Sequence, residues 1–202
     1  MKRTHLPIVP DAVLTRYRVN EPNDNRFRSC ARLLQSLWRA GSELRIGRHV
    51  SPNGDKRWLG SRISDTAARR GGNFMSPEIA RLVWLEHAYR EPWATSDEQR
   101  LWTNLLSSHP LVFNAMGPLR LDDCLATNML RAMFPDLADA TAETVLFEHS
   151  PGRGSDDLTG DNTAWDAAIT YERCRHQGSW CRRRYAHAPF ATQIHDDHRH
   201  CG

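Results

Sequence analysis

Glu148 and Asp166 are the residues of this 202-residue chain whose type and spacing best suggest chemistry. Glu148 follows a short β-type run, Thr144-Val145-Leu146-Phe147, and a Gly/Ser/Asp-rich loop comes next. Asp166 stands near the start of a second run, Trp165 to Tyr171. Side chains alternate along a strand, so Asp166 can face one side while Trp165 and Ala167 pack on the other. Carboxylates delivered by neighbouring strands give hard oxygen ligands at short range, as a divalent cation site requires. The same two residues also read as ordinary acids at strand ends.

A second set is basic. Arg45, Arg48, Lys56, Arg57 and Arg62 lie with few acids in a loop-rich segment, residues 42–75, and Arg153 stands in the glycine-bearing loop after Glu148. Phosphate contacts need charge and reach, so these six are the candidate DNA-binding residues; a plain surface loop is the other reading. A third set is the tail, where Cys174, Cys181, His195, His198, His200 and Cys201 are zinc-binding types at poor spacing. Other templates fit worse. Gly152-Arg153-Gly154 lacks the lysine of a phosphate-binding loop. Ser150 and His149 are adjacent, and adjacent strand residues face opposite sides.

The elements that must position these groups are mostly helical. Residues 1–23, with Pro7, Pro10 and Pro22, read as an extended arm. From Asn25, Phe27, Cys30, Leu33, Leu34, Leu37 and Trp38 recur at helical steps up to Gly41 and predict a buried stripe, while Arg26, Arg28, Arg32 and Arg39 fill the remaining, solvated or phosphate-facing surface. Ser76-Pro77-Glu78 starts another helix. Ser96-Asp97-Glu98-Gln99 offers a capping box for a third, closed by Pro110, and a fourth runs from Asp122 to before Pro135. Trp58, Trp84, Trp93, Trp102, Trp165 and Trp180 are expected as core or interface anchors rather than base-stacking platforms.

The net charge of +3 and pI near 8.7 suit a polyanionic partner without demanding one. No apolar run approaches membrane-spanning length and no secretory signal is visible. Five irregular cysteines argue against a secreted disulfide scaffold, so a bacterial-type cytoplasm is expected.

Several segments together carry a resemblance: Asn104-Leu105-Leu106-Ser107-Ser108-His109-Pro110-Leu111, Phe113-Asn114-Ala115-Met116-Gly117-Pro118-Leu119, Phe147-Glu148-His149-Ser150-Pro151-Gly152-Arg153, Thr159-Gly160-Asp161 and Thr163-Ala164-Trp165-Asp166. In this order they resemble a bacterial family of restriction-endonuclease-like proteins within the PD-(D/E)XK nuclease superfamily. The resemblance implies an α+β fold: a helical N-terminal part, then a core with a small mixed sheet in the order helix, strand, strand, strand, helix, strand. It divides the chain into an arm (1–23), a helical region with a basic loop segment (24–120), a partial nuclease-like core (121–185) and an irregular His/Cys-rich tail (186–202). It implies magnesium-dependent cleavage of DNA, with Asp166 as principal metal ligand and Glu148 as supporting acid.

The family pattern then calls for a third strand carrying Glu-x-Lys, and no Glu-x-Lys follows Glu172. Distance from Asp166 places the motif near Arg182 to Arg184, with Tyr185 as the following aromatic. Arginines there would repel a cation and could not act as a base. From Arg173 the composition turns to arginine, histidine, cysteine and tryptophan, as a shifted reading frame would produce, and the later helix and strand of the core are expected to be missing. Impaired catalysis is therefore expected, with a non-catalytic nucleic-acid- or protein-binding remnant as the alternative.

Overall fold

A computed structural model describes residues 6–51, 53–91, 97–150 and 164–173, and the strand path of 183–187. The tail residues named above as zinc-binding types, Arg153 and Arg182 lie outside these. The chain divides into two compact units, Met1–Arg81 with Ser96–Leu111 and Leu82–Thr95 with Val112–Gly202.

The first unit begins with α1 (Asp11–Arg16), so the expected extended arm is corrected: Leu14 and Val19 are buried in it. In α2 (Arg26–Gly41), the Asn25 side chain accepts from the Arg28 N–H at 2.9 Å, the cap its residue type predicts. The facing of α2 is the reverse of expectation. Arg32, Ser36 and Arg39, at three- and four-residue steps, turn inward. Ser36 Oγ donates to Tyr17 O, Arg39 Nε to Gly60 O at 2.9 Å, and Arg39 Nη1 to Leu44 O at 2.7 Å. Carbonyls at those points need donors, and an apolar stripe has none to give. Phe27, Leu34, Leu37 and Trp38 are consequently exposed. Gly60 makes the close approach possible, since a Cβ there would lie 2.1 Å from Tyr17 O and 2.6 Å from Ser36 Oγ.

Residues 42–75, expected as loop-rich, hold an antiparallel hairpin, β1 (Ile46–Val50) and β2 (Lys56–Ile63), and a short α3 (Asp65–Arg69). The hairpin turn closes through Gly54 N to Ser51 O at 2.9 Å, and Gly54 takes the positive φ of 87° that its lack of a Cβ permits. Ile63, Ala68 and Leu105 form a small core with Leu44, Ala67 and Trp102 packed against it, and Phe74 meets the Trp102 ring edge-on at 5.6 Å. α5 (Glu98–Thr103) is capped by Asp97, whose carboxylate accepts from the Arg100 N–H. Pro110 does not close that helix. It stands in the first turn of the next, α6 (Ser108–Leu121), where a missing N–H leaves no bond unmade.

α4 (Pro77–Ala88) starts in the first unit and continues in the second, with Ile79, Leu82 and Val83 buried as their spacing predicts. Trp84 of the same helix, expected as an anchor, is exposed. In the second unit α7 (Asp123–Met133) is capped by Asp122 and ends before a 3-10 turn at Pro135. Three strands follow, β3 (Ala140–His149), β4 (Trp165–Arg173) and β5 (Arg183–His187), paired in that order. Helix, strand, strand, strand is the opening order that the resemblance implies. Both pairings are antiparallel, so the described strands contain no parallel pair of the mixed sheet expected. α7 is tied to the start of β3: Thr127 Oγ1 accepts from Ala142 N, and Arg131 Nε donates to Ala140 O at 2.8 Å. Among the described residues no helix is long and apolar enough to cross a membrane.

Candidate active site and nucleic-acid interface

In the second unit, β3 and β4 pair as Phe147 with Ala167 and His149 with Trp165. Glu148 and Asp166 occupy the positions between those two pairs. Asp166 is exposed and Glu148 is half-buried. Both positions lie at the end of the β3–β4 pair, where the strands give way to the loop between them.

The neighbouring residues at these strand ends are packed. Phe147 stacks on Phe113 at 4.4 Å. His149 Nδ1 lies 2.5 Å from Glu91 Oε1, and the Ser150 N–H donates to Glu91 Oε2 at 3.3 Å. Trp165 meets the His149 ring edge-on at 6.2 Å. Glu91 therefore ties down the end of β3 at His149 and Ser150. Sequence reasoning missed it, because an acid after a helix carries no local sign of a partner 58 residues on. Elsewhere in this unit, burial pushes the Glu86 carboxyl up despite Arg120, whose Nε is 3.9 Å away.

Glu148 has φ of +49°, in the left-handed region, within an otherwise extended strand. That conformation costs a residue with a Cβ about 1–2 kcal/mol, and such strain tends to gather at functional positions. It yields a test that reverses the usual rule. At a regular strand site alanine is more stable than glycine by about 0.5–1 kcal/mol. At position 148, Glu148→Gly is expected to be more stable than Glu148→Ala by about 1 kcal/mol in urea unfolding. If Glu148→Ala proves the more stable variant, residue 148 does not hold this strain.

β5 corrects the placement of the missing third motif. Its register sets Arg183 opposite Glu172 and Arg184 opposite Tyr171. These are six and five positions along β4 from Asp166, about 17–20 Å at the rise of a strand. Counting residues from Asp166 had ignored where the two strands begin to pair. Arg183 and Arg184 do not stand where a third ligand would be needed. Lysine occurs in this chain only at positions 2 and 56, so no lysine follows Asp166 at all.

The fit to magnesium rests on donor type. Mg²⁺ takes one or two carboxylates with waters and substrate phosphate oxygens, rather than a cage built wholly of protein. Glu148 and Asp166 are donors of that type. Among the described residues no group of three or more His, Cys, Asp or Glu could hold a metal ion.

The first unit carries five of the six basic candidates, and the structure separates them. Arg62 is withdrawn from the set: it is buried, and its Nη1 donates to Thr103 Oγ1 at 3.1 Å. Burial pulls its pKa down, with the Asp97 carboxylate opposing the shift. Arg57 is exposed but paired with Glu21. Arg45, Arg48 and Lys56 are exposed, and no ion pair among the described residues engages them. His49, on the inward face of the hairpin, has a buried Nδ1 without a hydrogen-bond partner among the described residues. Burial first, then the Arg62 and Arg57 cations, lowers its pKa and favours the neutral ring. Trp58, expected as an anchor, is 44% exposed, with the Arg48 guanidinium 4.5 Å above its ring centroid.

A family model described as the PD-(D/E)XK nuclease superfamily matches residues 22–180. Comparison with curated proteins and with solved structures gave no match.

Proposed function

The chain belongs to the PD-(D/E)XK nuclease superfamily, and from that premise we propose that it is a restriction-type, DNA-directed nuclease-like protein with impaired magnesium-dependent hydrolysis. What supports this is the family match, together with the positions of Glu148 and Asp166 at the loop end of the β3–β4 pair. When bound, a magnesium ion would polarise the scissile phosphate and lower the pKa of an attacking water. The chain's part is to hold two carboxylates ready on rigid strands: Asp166 as the principal ligand, Glu148 as its support. Glu91 and His149 brace the end of β3, the strand that carries Glu148. The impairment follows from the sequence, which offers neither the Glu nor the Lys of the third strand after Glu172. Without that lysine the attacking water loses a group to orient it, and turnover falls although metal can still bind.

DNA contact falls to Arg45, just before the hairpin, and to Arg48, Lys56 and Arg57 on it, whose charge tracks phosphates irrespective of sequence. The setting that suits such a protein is the bacterial cytoplasm. The test is relaxation of supercoiled plasmid at protein excess with magnesium, against a parallel reaction in EDTA. Slow nicking confined to the magnesium reaction is expected. The absent Glu-x-Lys favours one other reading, a non-catalytic binding module. Retention of DNA that weakens steeply with salt, with no nicking at any protein concentration, would select that module instead.

A further inference from the structure

We infer that the β1–β2 hairpin is a stacking platform for unpaired bases, so that the nucleic acid recognised is single-stranded or locally opened rather than intact duplex. This rests on the nucleic-acid reading above and narrows its substrate class. Arg48 pairs directly with Trp58, and Val50 with Lys56, so all four share one face of the ribbon. His49, Arg57 and Leu59 belong to the other face, where Leu59 is buried and Arg57 is tied to Glu21. The outward face therefore presents a tryptophan between two cations that no acid among the described residues neutralises.

Phosphate contact alone needs no aromatic ring there, and burying a tryptophan is the usual way to stabilise a small unit. Trp58 is 44% exposed with the Arg48 guanidinium 4.5 Å over its ring, so this face offers an aromatic ring and an arginine on which a base can stack. Every base has a π face, so such a platform is tolerant of sequence while the flanking cations follow the backbone. Charge decides the occupant. An apolar protein surface would meet Arg48 and Lys56 unmatched, whereas a nucleic acid offers both a ring and phosphates.

The test is binding in EDTA, so that the outcome does not depend on hydrolysis. Labelled 20-nucleotide poly-dT and a blunt duplex of the same length are titrated by fluorescence anisotropy. Trp58→Ala is expected to weaken poly-dT binding by about ten- to hundredfold while weakening the duplex by less than about threefold. Trp58→Phe is expected to restore most of the loss, which also shows that the fold is intact. Lys56→Ala is expected to reduce the salt slope by about one released counterion. Equal loss on both oligonucleotides, no loss on poly-dT, or displacement of poly-dT by polyglutamate of matched charge would overturn the inference. A protein that never nicks plasmid yet shows the poly-dT effect keeps this inference and loses only the catalytic reading. One that nicks, but whose Trp58→Ala variant binds poly-dT normally, does the reverse.

Discussion

Asp166→Ala is expected to reduce magnesium-dependent plasmid nicking by about a hundredfold or more, to the rate in EDTA. A metal that polarises a phosphoryl oxygen contributes several kcal/mol to the transition state, and each 1.36 kcal/mol is about tenfold in rate. Asp166 is exposed at a strand end, so its removal leaves the packing of β4 intact and the thermal midpoint should not move. Glu148→Gln should lower the rate less, as befits a supporting acid. Asp166→Asn separates charge from shape: the amide keeps the size but loses the anionic ligand, and it should resemble alanine. An Asp166→Ala variant that nicks as well as the parent protein takes its metal elsewhere. The register of β5 adds a companion result. Glu at 182 with Lys at 184 should restore nothing, because Arg184 pairs with Tyr171, far along the strand from Asp166. A substantial rescue by that pair would show that the third strand is registered differently.

Locally encoded features were legible in the residues themselves. Asn25, Asp97 and Asp122 cap the helices that follow them, and Ser76 Oγ accepts from Ile79 N, because each of these bonds spans only three residues. The run from Trp165 onward predicted β4, although Ala167 to Tyr171 are all buried rather than alternating. What could not be read depends on distant partners. Arg48 and Arg62 lie on paired strands of the same basic segment, yet only Arg62 is buried, because β2 bridges Asn104 beyond α5 and brings Thr103 within reach. No periodicity reports that bridge. The stripe of α2 misled for a related reason: amphipathicity shows that a helix has two faces, and the carbonyls of Tyr17, Leu44 and Gly60 decided which one turned inward. The family resemblance supplied the candidate acids, but residue counting could not place β5.

Asp24→Ala is expected to cost about 3–5 kcal/mol, a large share of the roughly 5–15 kcal/mol that holds a domain of this kind folded. Arg32 Nε and Nη2 donate to the two oxygens of Asp24 at 2.6 and 3.0 Å, and Nη1 donates to Ser61 Oγ at 3.0 Å. The side chains are only 12% and 5% exposed, so water cannot replace either partner. Removing the carboxylate leaves a guanidinium charge in a site built to neutralise it, which is worse than never having had the pair. Arg32→Met combined with Asp24→Leu should therefore recover most of the stability lost in the single variant, as measured by urea midpoints in a double-mutant cycle. The same experiment decides between two roles for the arginines of α2. Arg32 serves the fold, so Arg32→Met with Asp24→Leu should leave the salt dependence of DNA binding where it was, whereas Lys56→Ala should shift it. A change of salt slope in the Arg32 variant, without a change in stability, would return Arg32 to the phosphate-facing set and leave α2 with a different inner face.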